Sequence, residues 1–115
     1  METHRLVLPA DLNQYGSLFG GRLLAWVDEA SWVAASLDYP HLHFVTVGMD
    51  RVEFRHGVRD GTILRIRCER VSEGKTSVTY QVEVSDAKPH PRPIFSTKIT
   101  FVSVDDEGRK RPIHG

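Results

Sequence analysis

Asp28 stands in unusual company. It follows Leu24 and precedes Trp32, each by one helical turn, in "GRLLAWVDEASWVAASL", a stretch that is otherwise nearly all apolar. A carboxylate is costly to bury unless it is paired or hydrogen-bonded. An aspartate here therefore turns toward solvent, pairs with a basic residue, or does chemistry. Apolar surroundings strengthen a carboxylate as a base near neutral pH, and the same group can act as a nucleophile. Just upstream lie Gly20 and Gly21. At a helix start, N–H groups unobstructed by side chains can hold an anion or a polarised carbonyl oxygen, although glycine is also an ordinary cap. Asn13, seven residues before Gly20, carries an amide able to orient a water or a carbonyl, and in a loop it is equally a turn residue.

Other chemistry-bearing residues are less specific. The segment "SEGKTS" at 72–77 contains Gly74, Lys75, Thr76 and Ser77. It lacks the G-x-x-x-x-G-K-[ST] spacing of a phosphate loop and enters a strand instead of a helix. A hairpin turn is its plain reading, with Lys75 and nearby amides able to hold a phosphate loosely. Of the histidines only His41 and His43 are close in sequence, and one couple does not make a metal site. No serine lies in a G-x-S-x-G elbow, and the single Cys68 falls on the inward side of a strand as a small hydrophobe.

These residues need elements to position them. Residues 3–9 read as a short extended segment closed by Pro9, residues 10–19 as a loop, and residues 20–37 as a helix. Tyr39 precedes Pro40 and is biased out of helical geometry, which ends the helix. On the helix, Leu23, Trp26, Val27, Ala30, Val33, Ala34 and Leu37 form one broad apolar face. Leu24, Trp32 and Ala35 lie roughly opposite, with Asp28 between them. From 45 to 54 a long strand is expected, with a bulge at "GMD". "ILRIRCERV" alternates with Leu64, Ile66 and Cys68 on one face, and "SVTYQVEV" puts Val78, Tyr80, Val82 and Val84 inward. A last strand runs over 94–104, and a tail trails off after it. One strand, a long helix and then strands joined by short links imply α+β with a mainly antiparallel sheet. A helix apolar nearly all round should be buried nearly all round, so the sheet must curl about it and a second subunit must cover the remainder.

Bulk properties agree. The chain has 115 residues, enough for one domain over 1–115. Lys plus Arg and Asp plus Glu are equal at 15 each, so no global field favours nucleic acid or an anionic membrane. The longest apolar run is too short for a bilayer, no secretion signal heads the chain, and one cysteine makes no internal disulfide. These point to a soluble cytoplasmic protein.

The opening stretch, "N-x-x-G-x-x-F-G-G-x-L-L-x-W-x-D-E-A" from Asn13 to Ala30, resembles the acyl-coenzyme A hydrolases of the hotdog fold. The likeness continues through "VTVGMDRVEF", "GKTSVTYQVEV" and "ITFVSVDDEGRKRP", in that order, over nearly the whole chain. The resemblance implies a sheet wrapped round a central helix, a homodimer with a continuous sheet, and assembly of dimers into a hexamer. It implies hydrolysis of acyl-CoA thioesters without a cofactor or metal, with Asp28 from one protomer and Asn13 from the other. Gly20 or Gly21 would meet the thioester carbonyl, and Gly74, Lys75, Thr76 and Ser77 the coenzyme A moiety. A non-catalytic acyl-CoA-binding domain is the rival, and a hydratase relying on a histidine fits less well. The family's proline after "V-x-F" and its following "G-D" are replaced here by Gly57 and Thr62 in "FRHGVRDGTI".

Overall fold

The computed structural model describes residues 1–115 throughout. Its elements are β1 (Glu2–Leu6), a 3-10 turn (Pro9–Asp11), α1 (Gly20–Asp38), β2 (His43–Met49), β3 (Glu53–Phe54), β4 (Ile63–Glu73), β5 (Ser77–Asp86) and β6 (Pro93–Val104). All strand pairings are antiparallel, in the order β1-β4-β5-β6-β2, with β3 also pairing β6. The curled sheet packs one face against α1, which is the α+β hotdog arrangement the resemblance implies.

Local sequence explains the pieces that hold the site. α1 begins after Phe19, whose side chain does not cap it and whose carbonyl accepts from both Arg22 and Leu23. The helix stops at Tyr39, held out of helical geometry by Pro40. In β4, Leu64, Ile66 and Cys68 are buried, and in β5 Val78, Tyr80, Val82 and Val84 are, as their alternation requires. Phe101 of β6 is fully buried and meets Phe44 at 6.4 Å and Tyr80 at 6.3 Å in edge-on pairs. Removing such a ring from water stabilises the fold by about 2–3 kcal/mol.

Three expectations need correction. Val33 and Leu37 are not on the packed face of α1 but are 37% and 69% exposed, while Ser31 is fully buried. Ser31 tolerates burial because its hydroxyl donates to the Val27 carbonyl at 2.7 Å, one turn back. The long strand over 45–54 is two strands, with the register shift between Thr46 and Gly48. The tail does not trail off. Arg111 N–H donates to the Ser103 carbonyl and Ile113 N–H to the Lys75 carbonyl, both at 2.8 Å, and Ile113 joins the core.

Candidate active site

Asp28 is the ninth residue of α1 and lies half-buried on the flank that faces β2. Its partner is not a basic residue. The Thr46 hydroxyl of β2 donates to Asp28 Oδ1 at 2.6 Å, in the short range expected of a bond to a carboxylate. The strand bearing Thr46 is tied to the same helix by Trp32, whose indole N–H donates to the Phe44 carbonyl at 3.1 Å. Helix and strand therefore fix one carboxylate oxygen, and the other has no hydrogen-bond partner within the protomer. Sequence reading passed over Thr46. Its signal was a hydroxyl residue in phase with Phe44 in an otherwise apolar run.

Asn13 lies in the loop between residues 12 and 18, closed by a bridge between Leu12 and Leu18. Asn13 Oδ1 accepts from the backbone N–H groups of Tyr15 at 2.9 Å and Ser17 at 3.1 Å. The turn reading of Asn13 therefore holds for its oxygen. Its NH2 makes no bond within the protomer, which leaves Asn13 a donor to offer and no acceptor. Gly16, at φ +80°, supplies the left-handed residue this turn needs.

The loop is pinned to the helix start. Phe19 N–H donates to the Asp11 carbonyl at 3.1 Å, and Leu18 N–H to the Val58 carbonyl at 2.7 Å. The buried Asp11 carboxylate accepts from Leu8 N–H at 2.9 Å and lies 3.5 Å from the Arg22 guanidinium. Asp11 and Arg22 thus position the loop, a role their sequence spacing did not advertise. The N–H groups of Gly20 and Gly21 find no acceptor within the protomer. A Cβ on Gly20 would come within 2.9 Å of the Phe54 ring, so that ring lies directly over the first residue of the helix. Gly21 and Asp28 are two turns apart and share a helix face, separated by about 10 Å along the axis.

Gly74, Lys75, Thr76 and Ser77 form the β4–β5 hairpin turn, closed by Gly74 N–H donating to the Ser77 carbonyl at 2.8 Å. That hairpin lies at the other end of α1. Tyr80 donates to Asp38 Oδ2 at 2.5 Å, and Tyr39 donates to Glu73. The 19 residues of the helix put it roughly 28 Å from Gly20. One protomer does not bring this turn together with Asn13, Gly20, Gly21 and Asp28. Beside the turn, Arg70 donates to the Tyr39 hydroxyl at 2.8 Å, and His114 lies 2.9 Å from Glu73. The bonds from Tyr39 and His114 hold the Glu73 carboxyl below its usual range. Burial and the bond to Asp38 push the Tyr80 hydroxyl up. Burial also pushes the Cys68 thiol up to about 11, which makes it a poor nucleophile near neutral pH. No group of three or more His, Cys, Asp or Glu residues is placed to hold a metal ion.

Known proteins resemble this chain in sequence and fold. The thioesterase superfamily pattern matches residues 15–91. An acyl-CoA thioester hydrolase, YciA, of Escherichia coli strain K12 is 31% identical over 114 residues, covering 94% of this chain and 86% of that one. The solved hexameric thioesterase of Yersinia pestis superimposes with a TM-score of 0.90 at 28% identity, covering 98% of this chain and 93% of its own. An acyl-CoA hydrolase of Staphylococcus aureus, solved with butyryl coenzyme A, coenzyme A and coenzyme A disulfide, gives a TM-score of 0.89 at 27% identity, covering 97% of this chain and 70% of its own. That enzyme has also been solved with a threonine changed to alanine and with an aspartate changed to alanine.

Proposed function

The chain belongs to the thioesterase superfamily, and on that premise we propose that it hydrolyses acyl-CoA thioesters, with Asp28 as the base. The observation that carries this reading is the Asp28 carboxylate, held by Thr46 through one oxygen and free at the other. The free oxygen takes a proton from water as that water adds to the thioester carbon. The carbonyl oxygen becomes an oxyanion, received by the acceptor-less N–H groups of Gly20 or Gly21 and by the Asn13 NH2. Donors of this kind contribute roughly 3–4 kcal/mol each in other hydrolases. The C–S bond then breaks, coenzyme A leaves as thiolate, and the proton on Asp28 passes to it. The products are a carboxylic acid and free coenzyme A. The mutants of the Staphylococcus aureus enzyme concern the same two residue types, an aspartate and a threonine, that are in contact here.

The site is shared between protomers in this proposal. The flank of α1 with Trp32, 43% exposed, and the open edge of β2 await a cover, and a second copy supplies it in a homodimer. The dimers assemble into a hexamer, the state of the Yersinia pestis protein. Lys75, Thr76 and Ser77 stand too far from Gly20 to serve their own protomer's carbonyl site, so they meet the coenzyme A of another. Residues 1–115 act as one domain and work in the cytoplasm. No helix is long and apolar enough to cross a membrane.

The test is thiol release from acyl-CoA by wild type, by Asp28→Asn, by Asn13→Ala, and by the two variants unfolded and refolded together. Each variant alone should be nearly inactive. In a random mixture half the dimers are hybrids with one intact site of two, so about a quarter of wild-type activity should return. Undiminished turnover in Asp28→Asn removes the assigned base. Two inactive variants with no recovery on mixing remove the shared site.

A further inference from the structure

A thioester carbonyl held at Gly20 must send its acyl group somewhere within one bond of that point. The protomer has five cavities, and three of them are lined mainly by polar residues and lie away from Gly20: beside Met1 and Glu83, beside Asp60 and Lys88, and beside Asp50 and Lys98. A fourth has an apolar wall but lies along β1 against Trp26, Ala30 and Val33, beginning more than one turn down the helix. The fifth adjoins Gly20 itself, with a volume of about 220 Å³. Leu18, Leu23 and Val58 floor it, Phe54 is its wall, and Arg55 and His56 stand at its rim. Leu23 and Val58 are 2% and 4% exposed, so the floor belongs to the core and does not give way.

The Phe54 wall is well supported. Its ring stacks on the fully buried Phe95 at 5.3 Å, with 26° between the planes. Its far edge points at the Cα of Gly20, where even a methyl group would collide with it. Half of the side chain is nevertheless exposed. A ring backed by the core on one face and open on the other limits a space without being needed to fill the core.

We propose that the cavity between the first turn of α1 and the segment from Phe54 to Val58 receives the acyl group, and that the Phe54 ring sets how much of it a chain can occupy. The proposal rests on the thioester-hydrolase reading above and deepens it. A cavity of 150 Å³ in another protein holds benzene, so this one holds a saturated chain of on the order of eight carbons. Up to that length each added methylene leaves water for an apolar floor and raises kcat/KM about fourfold. Beyond it, further carbons collide with the Phe54 ring, and kcat/KM falls.

The experiment measures kcat/KM by thiol release for saturated acyl-CoAs from two to sixteen carbons, with wild type, Phe54→Ala, Phe54→Leu and Phe54→Trp. Circular dichroism establishes that each variant is folded. In parallel, calorimetric titration measures the affinity of S-alkyl-CoA thioethers, which cannot be hydrolysed, over the same chain lengths. Wild type should peak near eight carbons. Phe54→Ala and Phe54→Leu should move the peak at least two carbons longer, and Phe54→Trp should move it shorter, with the thioether affinities following. An unchanged optimum in every folded variant, by both readouts, overturns the proposal. No thiol release from any substrate, with thioether affinities that still follow residue 54, overturns the hydrolase reading and leaves the acyl slot standing.

Discussion

Replacing Thr46 by valine tests the contact that sequence reading did not foresee. Valine keeps the β-branched shape and removes only the hydroxyl that holds Asp28 Oδ1 at 2.6 Å. A hydrogen bond to a charged group contributes about 1.5–3 kcal/mol. Because both side chains are partly open to solvent, water takes over much of the bond in the resting protein, and stability should change by less than about 1 kcal/mol. Water does not reproduce the fixed direction of the carboxylate. If about 2 kcal/mol of positioning is lost in the transition state, kcat falls roughly thirtyfold. KM should stay near wild type, since the hydroxyl aims the base and does not hold substrate. Thr46→Ser, which restores the donor, should recover to within a few fold. Initial rates of thiol release over a range of acyl-CoA concentrations provide both constants. If Thr46→Val turns over at the wild-type rate while Asp28→Asn is inactive, the hydroxyl does not position the base and the reasoning fails.

Asn13→Asp separates the two ends of that amide. It keeps an oxygen for the Tyr15 and Ser17 amides and removes the NH2. Its melting temperature should stay within a few degrees of wild type while kcat falls on the order of a hundredfold. Recovery of full activity would show that only the loop shape matters. Stability should decline on the alkaline side. The Cys68 thiol is pushed up to about 11 from 9.0 in the folded chain, and burial raises the Tyr80 hydroxyl as well. Unfolded chains shed these protons first, so the stabilisation is complete below pH 9 and is lost as pH rises toward 11. The Cys68 share is on the order of 3 kcal/mol. Urea midpoints measured from pH 8 to 11 should fall steeply in wild type and less in Cys68→Val. Ile113→Ala, at a position 5% exposed, should cost about 2–3 kcal/mol in urea unfolding. A cost under about 0.5 kcal/mol would mean that the tail is not part of the core.

What could be read from the sequence had local causes. The Tyr39–Pro40 step ends the helix through the restriction proline places on the residue before it, the glycine pair marks where the apolar run begins, and the observed Gly20–Asp38 follows. Leu64, Ile66 and Cys68 declared their face because β4 has sheet on both sides. The edge strand misleads for the complementary reason. Val45 and Val47 are its apolar residues, yet they are 45% and 57% exposed, while Phe44 and Thr46 face the helix. On this edge strand hydrophobicity does not report which side packs against the helix, since its apolar residues at 45 and 47 stay exposed in the protomer. The Thr46–Asp28 contact depends on that phase and was hidden with it. Ile113 escaped notice because one apolar residue among "GRKRPIHG" has no periodicity to reveal it. The separation of the hairpin turn from Gly20 follows from the direction of one helix and is invisible to motif spacing.

Asn13 and Asp28 are anchored very unequally. Asp28 sits in mid-helix, one residue beyond the fully buried Val27, and its amide can exchange with solvent only when that helix opens. Asn13 sits in a short loop held mainly by bonds among residues 13–17, beside a Tyr15 that is 77% exposed. Local opening of such a loop costs much less free energy than unfolding the core. On warming, turnover should therefore be lost while the far-ultraviolet spectrum still reports an intact sheet, and cooling should restore it. The thermal ceiling of catalysis is then set by about five residues of loop, and strengthening the core would not raise it.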